Sequence, residues 1–462
     1  MLETLRRQST ADYQRADAAH HLHPFTDYKS LKAEGSRVMV RGEGVWLWDF
    51  DGKKYLDGMA GLWCSQIGHG RREIADAVHR QMCELEFYNT FFKTTHPGAV
   101  ELAEQLAMMT PEGLNHVFFT GSGSEANDTV YRLVRHYWAL MGRPEKKVII
   151  GRRLGYHGST VAASAMGGMG GMHTQGGMLP DVHHIEPPYW FDLGGDMSKE
   201  EFGKKAAIWL AEAIAEIGEE NVAAFIAEPI QGAGGVIIPP DTYWPEVKKI
   251  LAGKDILFVA DEVISGFGRT GEWFASDHYG LKPDLMPIAK GLSSGYLPIG
   301  GVMVSDKVAD VVAEGGEFFH GFTYSAHPAS CAAALANLKI MREERVVERV
   351  KEDIGPYLQE RWRALGEHPL VGEARMLGLV GALELVPAKP GRSERFANTG
   401  EVGTLCRDIS FGNGLIMRAV RDGMIIAPPL VISHDEVDQL VALARKTLDD
   451  TLAELRRRGL MG

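Results

Sequence analysis

Two residues in the middle of the chain have the types and spacing to do chemistry together. Asp261 closes the apolar run DILFVADE (255–262), and Lys290 follows a second run, PDLMPIAKG (283–291), 29 positions after Asp261. Short apolar runs of this kind read as buried strands with their polar residues at or just beyond the C-terminal end. Ligands of open α/β sheets bind in the crevice beyond those strand ends, which places Asp261 and Lys290 where one cofactor meets both. An amine and a carboxylate so placed suit pyridoxal phosphate. The amine forms a Schiff base, and the carboxylate keeps the pyridine nitrogen protonated so that the ring accepts electrons. A plain ion pair at a domain edge is the competing reading of the two residues alone.

The elements that must position this pair are legible around it. HVFFTGSGSEAND (116–128) reads as a strand, a Ser/Gly turn and the start of a helix, and Ala126, Val130, Leu133, Val134, Tyr137 and Trp138 continue it at helical spacing. Ser124 is expected as the N-cap, with Glu125 in the first turn, and unpaired N–H groups at such a turn form a phosphate cradle. KKVIIG (146–151) is a further strand, followed by Tyr156, whose ring can stack on a planar cofactor. VAAFIAEPIQGAGG (222–235) gives another strand, ending at Glu228, a structural acceptor or a partner for a cation. Residues 38–61 alternate like two antiparallel strands with Asp51-Gly52 at the turn. The glycine-rich run 167–177 lacks the Lys-Ser/Thr ending of a nucleotide-binding loop and reads as a surface or lid loop. From about residue 335 the strand–helix alternation gives way to α+β character, closed by a helix with a Ser433–Glu436 capping box.

Composition sets the outer limits. At 462 residues two domains are the natural expectation, and 45% apolar with 24% charged residues is an ordinary globular balance. The net charge of −12 argues against general nucleic-acid binding. Cys64, Cys83, Cys331 and Cys406 are scattered without metal-ligand spacing, so reduced thiols and a cytoplasmic setting are expected. No apolar leader or membrane-length run is present, and no membrane role is expected. His20, His21 and His23 form a group for which no matching carboxylate or cysteine set is visible, so a structural or interface role is preferred and no metal is expected.

The strings HHLHPFTD, DGMAGLWC, FYNTFFKTTHP, GYHGST, EPIQGAGG, GFGRTGEWF and AKGLSSGYLPIG, with the Asp-Glu-Val … Ala-Lys-Gly pattern, resemble the class III pyridoxal-phosphate aminotransferases over nearly the whole chain. Within the class the chain is most similar to the ω-amino acid:pyruvate (β-alanine:pyruvate or amine:pyruvate) transaminases. The resemblance implies α/β fold type I: a large domain (66–334) with a mixed, mostly parallel sheet, and a smaller α+β domain (335–462) joined by the N-terminal segment (1–65). It implies a homodimer with shared active sites, assembling further to a tetramer in some members. It also implies roles. Lys290 would be the Schiff-base lysine and proton carrier, and Asp261 would hold the pyridinium. Val263 and Tyr156 would flank the ring. Gly123 and Ser124 would bind the phosphate with Thr323 of the partner subunit. Trp63 and Phe91 would line the substrate pocket with Tyr156. Arg418 resembles the mobile arginine that grips a substrate carboxylate through its planar fork, with Glu228 as its resting partner.

Ile264 stands where many class III enzymes carry Gln after Asp-Glu-Val, which favours the ω-amino acid subgroup over ornithine or 4-aminobutyrate aminotransferases. The expected reaction takes nitrogen from an ω-amino acid or primary amine (β-alanine, an arylalkyl amine), leaves it as pyridoxamine phosphate, and passes it to pyruvate to give alanine. The alternative on the same cofactor is an aminomutase, racemase or decarboxylase, of which a mutase or racemase would need no keto acid. A non-catalytic relative is a third reading, and the intact Asp261, Lys290 and Gly123-Ser124 set argues against it.

Overall fold

A computed structural model describes residues 9–389 and 394–461. Its centre is a seven-stranded sheet ordered His116–Thr120, Gly300–Val304, Leu285–Ile288, Leu257–Ala260, Val222–Ala227, Val148–Arg152, Val182–Ile185. Gly300–Val304 runs antiparallel to both of its neighbours, and the other strands pair in parallel. The sheet is therefore mixed and mostly parallel, as expected, and helices cover both faces.

Strand alternation decides which face each side chain meets. Leu257 and Val259 pack with Ala126, Val130 and Val134 of the helix Gly123–Leu140. Phe258 and Ala260 point the other way, into a cluster with Phe202, Leu210 and Ile214 of the helix Lys199–Ile217 and with Trp244. Asp261 has the parity of Leu257 and Val259, so it emerges on the face covered by Gly123–Leu140. Both strands around the central pair are fully buried on both sides, which is why they read as unbroken apolar runs.

Two smaller sheets flank this core. The first is a meander of Met39–Glu43, Trp46–Asp49 and Lys54–Asp57, completed by Leu415–Ile416 in parallel with the third strand. Residues 38–61 thus hold three strands where two were expected, because the chain also reverses at Gly44 (φ +57). The second sheet is ordered Val371–Leu377, Val380–Leu385, Gly423–Ile426, Arg418–Val420, and it presents Arg418 at the edge opposite Ile425. The last helix, His434–Arg457, starts at Ser433 with the expected capping box.

Three local expectations are corrected. The N-cap of Gly123–Leu140 is Ser122, whose hydroxyl accepts the Glu125 N–H at 3.2 Å, so Ser124 lies inside the first turn. Within the glycine run, Gly170–Gly176 forms a short helix, and His173 Nε2 lies 2.7 Å from the Gly167 carbonyl, tying the turn back to the preceding segment. The histidine group does have a carboxylate beside it. The helix Thr10–His20 sets Asp17 one turn ahead of His21, where its two oxygens meet His21 and His23. No helix among the described residues is long and apolar enough to cross a membrane.

Candidate active site

Lys290 opens a single tight turn, Lys290–Leu292, just past the strand Leu285–Ile288, and it holds φ +45. A non-glycine residue there costs about 1–3 kcal/mol and persists only where surrounding contacts fix it. Asn337, from the helix Pro328–Glu343, supplies those contacts. Its Nδ2 donates to the carbonyls of Gly291 (2.9 Å) and Leu292 (3.0 Å), and its Oδ1 accepts the Ser294 hydroxyl at 2.6 Å. Apart from the cavity it faces, Lys290 is enclosed by protein, and that burial pushes its amine below the ordinary lysine range.

The same cavity is lined by Asp261, Val263, Ile264, Tyr156, Glu228 and the Gly123-Ser124 turn. The structure therefore gathers eight of the residues singled out from the sequence: Lys290, Asp261, Val263, Ile264, Tyr156, Glu228, Gly123 and Ser124. Trp63 and Arg418 adjoin it. The Arg418 guanidinium lies 5.0 Å from the Trp63 ring, and Lys290 Nζ lies 6.0 Å from the same ring. Trp63 is 2% exposed at φ +59, at the end of the turn Ala60–Trp63. Phe91 and Thr323 do not line this cavity in the single chain. Each borders a separate recess, Phe91 beside Phe118 and His320, Thr323 beside Gly121 and Glu125.

Of the two roles open to it from the sequence, Glu228 takes that of structural acceptor in the single chain. Its carboxylate accepts the N–H groups of Tyr156 (3.1 Å) and Gly232 (2.9 Å), while burial pushes its pKa up. Arg418 forms no ion pair with it, or with any carboxylate among the described residues, and burial lowers the Arg418 pKa. Main-chain donors satisfy Glu228 in place, so it buttresses the Tyr156 loop.

Three residues that sequence reading passed over complete the site. His157 Nδ1 lies 2.7 Å from Asp261 Oδ2, and Asn127 Nδ2 donates to the same oxygen at 2.9 Å. Both stand inside strings quoted from the sequence, GYHGST and SEAND, yet only the parity of Asp261 and the helix above it could have joined them. Asn337 is the third.

Glycine keeps the cavity clear. A Cβ on Gly123 would come 3.0 Å from Val263 Cγ1, and one on Gly158 (φ +137) would come 2.6 Å from Ser124 Oγ. A buried amine, an oriented carboxylate, a cavity lined by Val263 and Tyr156, and a helix N-terminus fit pyridoxal phosphate. Fold and donor set together define a pyridoxal-phosphate enzyme of fold type I.

The sequence comparisons narrow that class. The family model for aminotransferase class-III matches residues 30–448. The chain is 62% identical to the putrescine–pyruvate aminotransferase of Pseudomonas aeruginosa, covering 96% of this chain and 97% of that one. It is 43% identical to the vanillin aminotransferase of Capsicum annuum, covering 90% and 91%. Among solved structures it resembles an (S)-enantioselective ω-transaminase from Thermomicrobium roseum, with TM-score 0.93, 44% identity, and 96% and 100% covered. The chain belongs to the class III aminotransferases, which depend on pyridoxal phosphate.

Proposed function

We propose that the enzyme moves an amino group from a primary amine or ω-amino acid to pyruvate, giving alanine. One observation carries this reading: Arg418 stands on Trp63 beside the Lys290 cavity with no carboxylate partner among the described residues. A guanidinium left unpaired at an aromatic wall suits two alternating guests, a keto-acid carboxylate and an amine without one. The 62%-identical putrescine–pyruvate aminotransferase supports a diamine as donor, alongside β-alanine and arylalkyl amines.

When bound, pyridoxal phosphate would supply an aldehyde carbon for the donor nitrogen and a ring that takes up the electron pair of the broken C–H bond. Lys290 Nζ would hold that aldehyde carbon between turnovers. Freed by the donor, it would carry the proton away from the donor carbon, a task suited to an amine whose pKa burial has lowered. Asp261 would keep the ring nitrogen protonated, with His157 and Asn127 fixing its orientation. The N–H groups around Gly123 and Ser124 would bind the phosphate. Val263 and Tyr156 would confine the ring, and Trp63 and Ile264 would exclude water from the reacting carbon. A mutase or racemase would need no keto acid, so the requirement for one separates those reactions from transamination.

The reading extends to assembly. The enzyme would be a cytoplasmic homodimer, with Thr323 of each protomer completing its partner's phosphate site and Phe91 its partner's substrate wall. Phe92 (90% exposed), Phe319 (77%) and Tyr324 (65%) give each chain the apolar surface such a contact needs. Residues 66–334 would form the large domain, and 1–65 with 335–462 the small one. The parallel pairing of Leu415–Ile416 with Lys54–Asp57 supports that union of the chain ends.

The test is the absorption spectrum of cofactor-loaded protein mixed with putrescine, β-alanine or an arylalkyl amine without a keto acid. Loss of the visible band with a donor, and its return with pyruvate, is the expected result. A band that no amine removes, or turnover without a keto acid, would sink the assignment.

A further inference from the structure

The segment Asp17–Phe25 takes no part in the chemistry above, and apolar packing does not hold it. The helices Thr10–His20 and Tyr28–Glu34 on either side bury none of their residues, and Leu22 and Phe25 are 81% and 74% exposed. What gathers this segment is polar. Asp17 Oδ1 lies 3.0 Å from His21 Nδ1, and Asp17 Oδ2 lies 2.8 Å from His23 Nε2. The two imidazole rings stand 4.2 Å apart between centroids, and one donor atom from each of the three residues lies within 4.8 Å of the others.

The placement follows from the local sequence. Helical spacing sets Asp17 and His21 on one face, one turn apart. The chain leaves the helix at His21 with extended angles (φ −117, ψ 122), which carries His23 round to the same carboxylate. Tyr28 then fixes the exit, its hydroxyl donating to the His23 carbonyl at 2.7 Å.

We propose that Asp17, His21 and His23 form a binding site for a divalent first-row transition ion, such as Zn²⁺. Two imidazole nitrogens with one carboxylate oxygen select such an ion over Mg²⁺ or Ca²⁺, which take all-oxygen shells. Zinc sits about 2.0–2.1 Å from nitrogen and oxygen ligands, so tetrahedral donors stand about 3.3–3.4 Å apart. The two nitrogen–oxygen separations need to open by a few tenths of an ångström and the two ring nitrogens, already within 4.8 Å, to settle at the same spacing, which partly exposed side chains allow. Neutral rings offer the required lone pairs when their protons sit on His21 Nε2 and His23 Nδ1, and three protein donors leave a fourth position to water. The ion would staple a weakly packed segment that leads to the active site. Two residues after His23, the Phe25 ring meets Tyr156 edge-on at 6.2 Å between centroids.

The experiment uses tag-free, cofactor-loaded full-length protein, stripped with a chelator and titrated calorimetrically with ZnCl₂. One ion per chain is expected at this site. Asp17→Ala and His23→Ala should each weaken its binding at least about tenfold, since loss of even an outer-shell partner costs about 10–100-fold. Trypsin cleavage within residues 9–35 should slow on adding Zn²⁺ in the parent and not in His21→Ala/His23→Ala. Failure to take up Zn²⁺, uptake unchanged in the double variant, or cleavage insensitive to the ion would each overturn the proposal. The three side chains lie outside the apolar clusters, so an unchanged melting temperature is expected and would exclude misfolding as the cause of lost binding.

Discussion

His157 Nδ1 and Asn127 Nδ2 converge on a single oxygen, Asp261 Oδ2, at 2.7 and 2.9 Å, while Asp261 Oδ1 accepts the Val263 N–H at 3.0 Å. Three contacts from three separate elements thus fix a carboxylate that is 3% exposed. His157 and Asn127 act through Asp261 and so are positioning residues. Replacing His157 by Phe should lower kcat/KM about 10–100-fold, or about 1.4–2.7 kcal/mol of transition-state stabilisation. The pH titration of the bound cofactor's visible band should shift in the same variant. Lower activity with an unmoved titration would make the His157 contact merely structural.

Arg418 makes a separate prediction because an amine donor without a carboxylate has nothing for it to grip. Arg418→Ala should raise KM for pyruvate about 10–100-fold, the scale of a lost charge-assisted, two-point contact. The half-reaction with an amine lacking a carboxylate should stay within about twofold of the parent. Equal losses in both halves would show that Arg418 supports the cavity wall and does not read the keto acid.

The central pair was legible because two buried parallel strands leave unbroken apolar runs, and the polar residue after each run must lie at the sheet's open end. The final helix was legible for a similar reason, since Ser433 and Glu436 satisfy each other within one turn. What the sequence hid depends on distant partners. Asn337 lies 47 positions beyond Lys290 and looks like any polar residue in an Ala-rich helix, yet it holds the strained turn that presents the amine. Ser122 and Ser124 are equally good caps on paper. The fold decides between them, because Ser124 Oγ is engaged by the Ser159 N–H at 3.1 Å. Glu228 stayed open between structural acceptor and cation partner because its donors are main-chain groups, which no side-chain pattern reports.

Gly158 tests the tight approach of the GYHGST loop to the Gly123-Ser124 turn. Alanine there meets Ser124 Oγ at 2.6 Å and Ser124 Cα at 2.7 Å, in a backbone region (φ +137) that disfavours any Cβ. Gly158→Ala should cost about 1–3 kcal/mol of stability and weaken pyridoxal phosphate binding about tenfold or more. Gly170→Ala is the matched control. It lies in the short helix Gly170–Gly176 with nothing within 4 Å of the new methyl group, so its melting temperature should hold or rise slightly. Similar losses in both variants would contradict the steric account.

Glu262 follows Asp261 in sequence but points to the other face of the strand end, fully buried. Its carboxyl group accepts the Ser276 N–H (2.5 Å), the Ala275 N–H (3.2 Å) and the Ser265 hydroxyl (2.6 Å). These bonds favour the charged form, but burial outweighs them and pushes the pKa up to about 7. Between an unfolded value near 4.5 and a folded value near 7, the native state keeps a proton that the unfolded chain has released. The stability this group contributes is fully present below the lower value and is lost as pH rises through the upper one. The apoprotein's unfolding free energy should therefore fall from pH 5 to pH 8 by up to about 3 kcal/mol more than that of Glu262→Gln, which cannot ionise. Urea titrations of both proteins at the two pH values measure this difference, in which every other titrating group cancels. Parallel pH dependence would mean that Glu262 ionises in the folded core without penalty, and that its three donors outweigh burial after all.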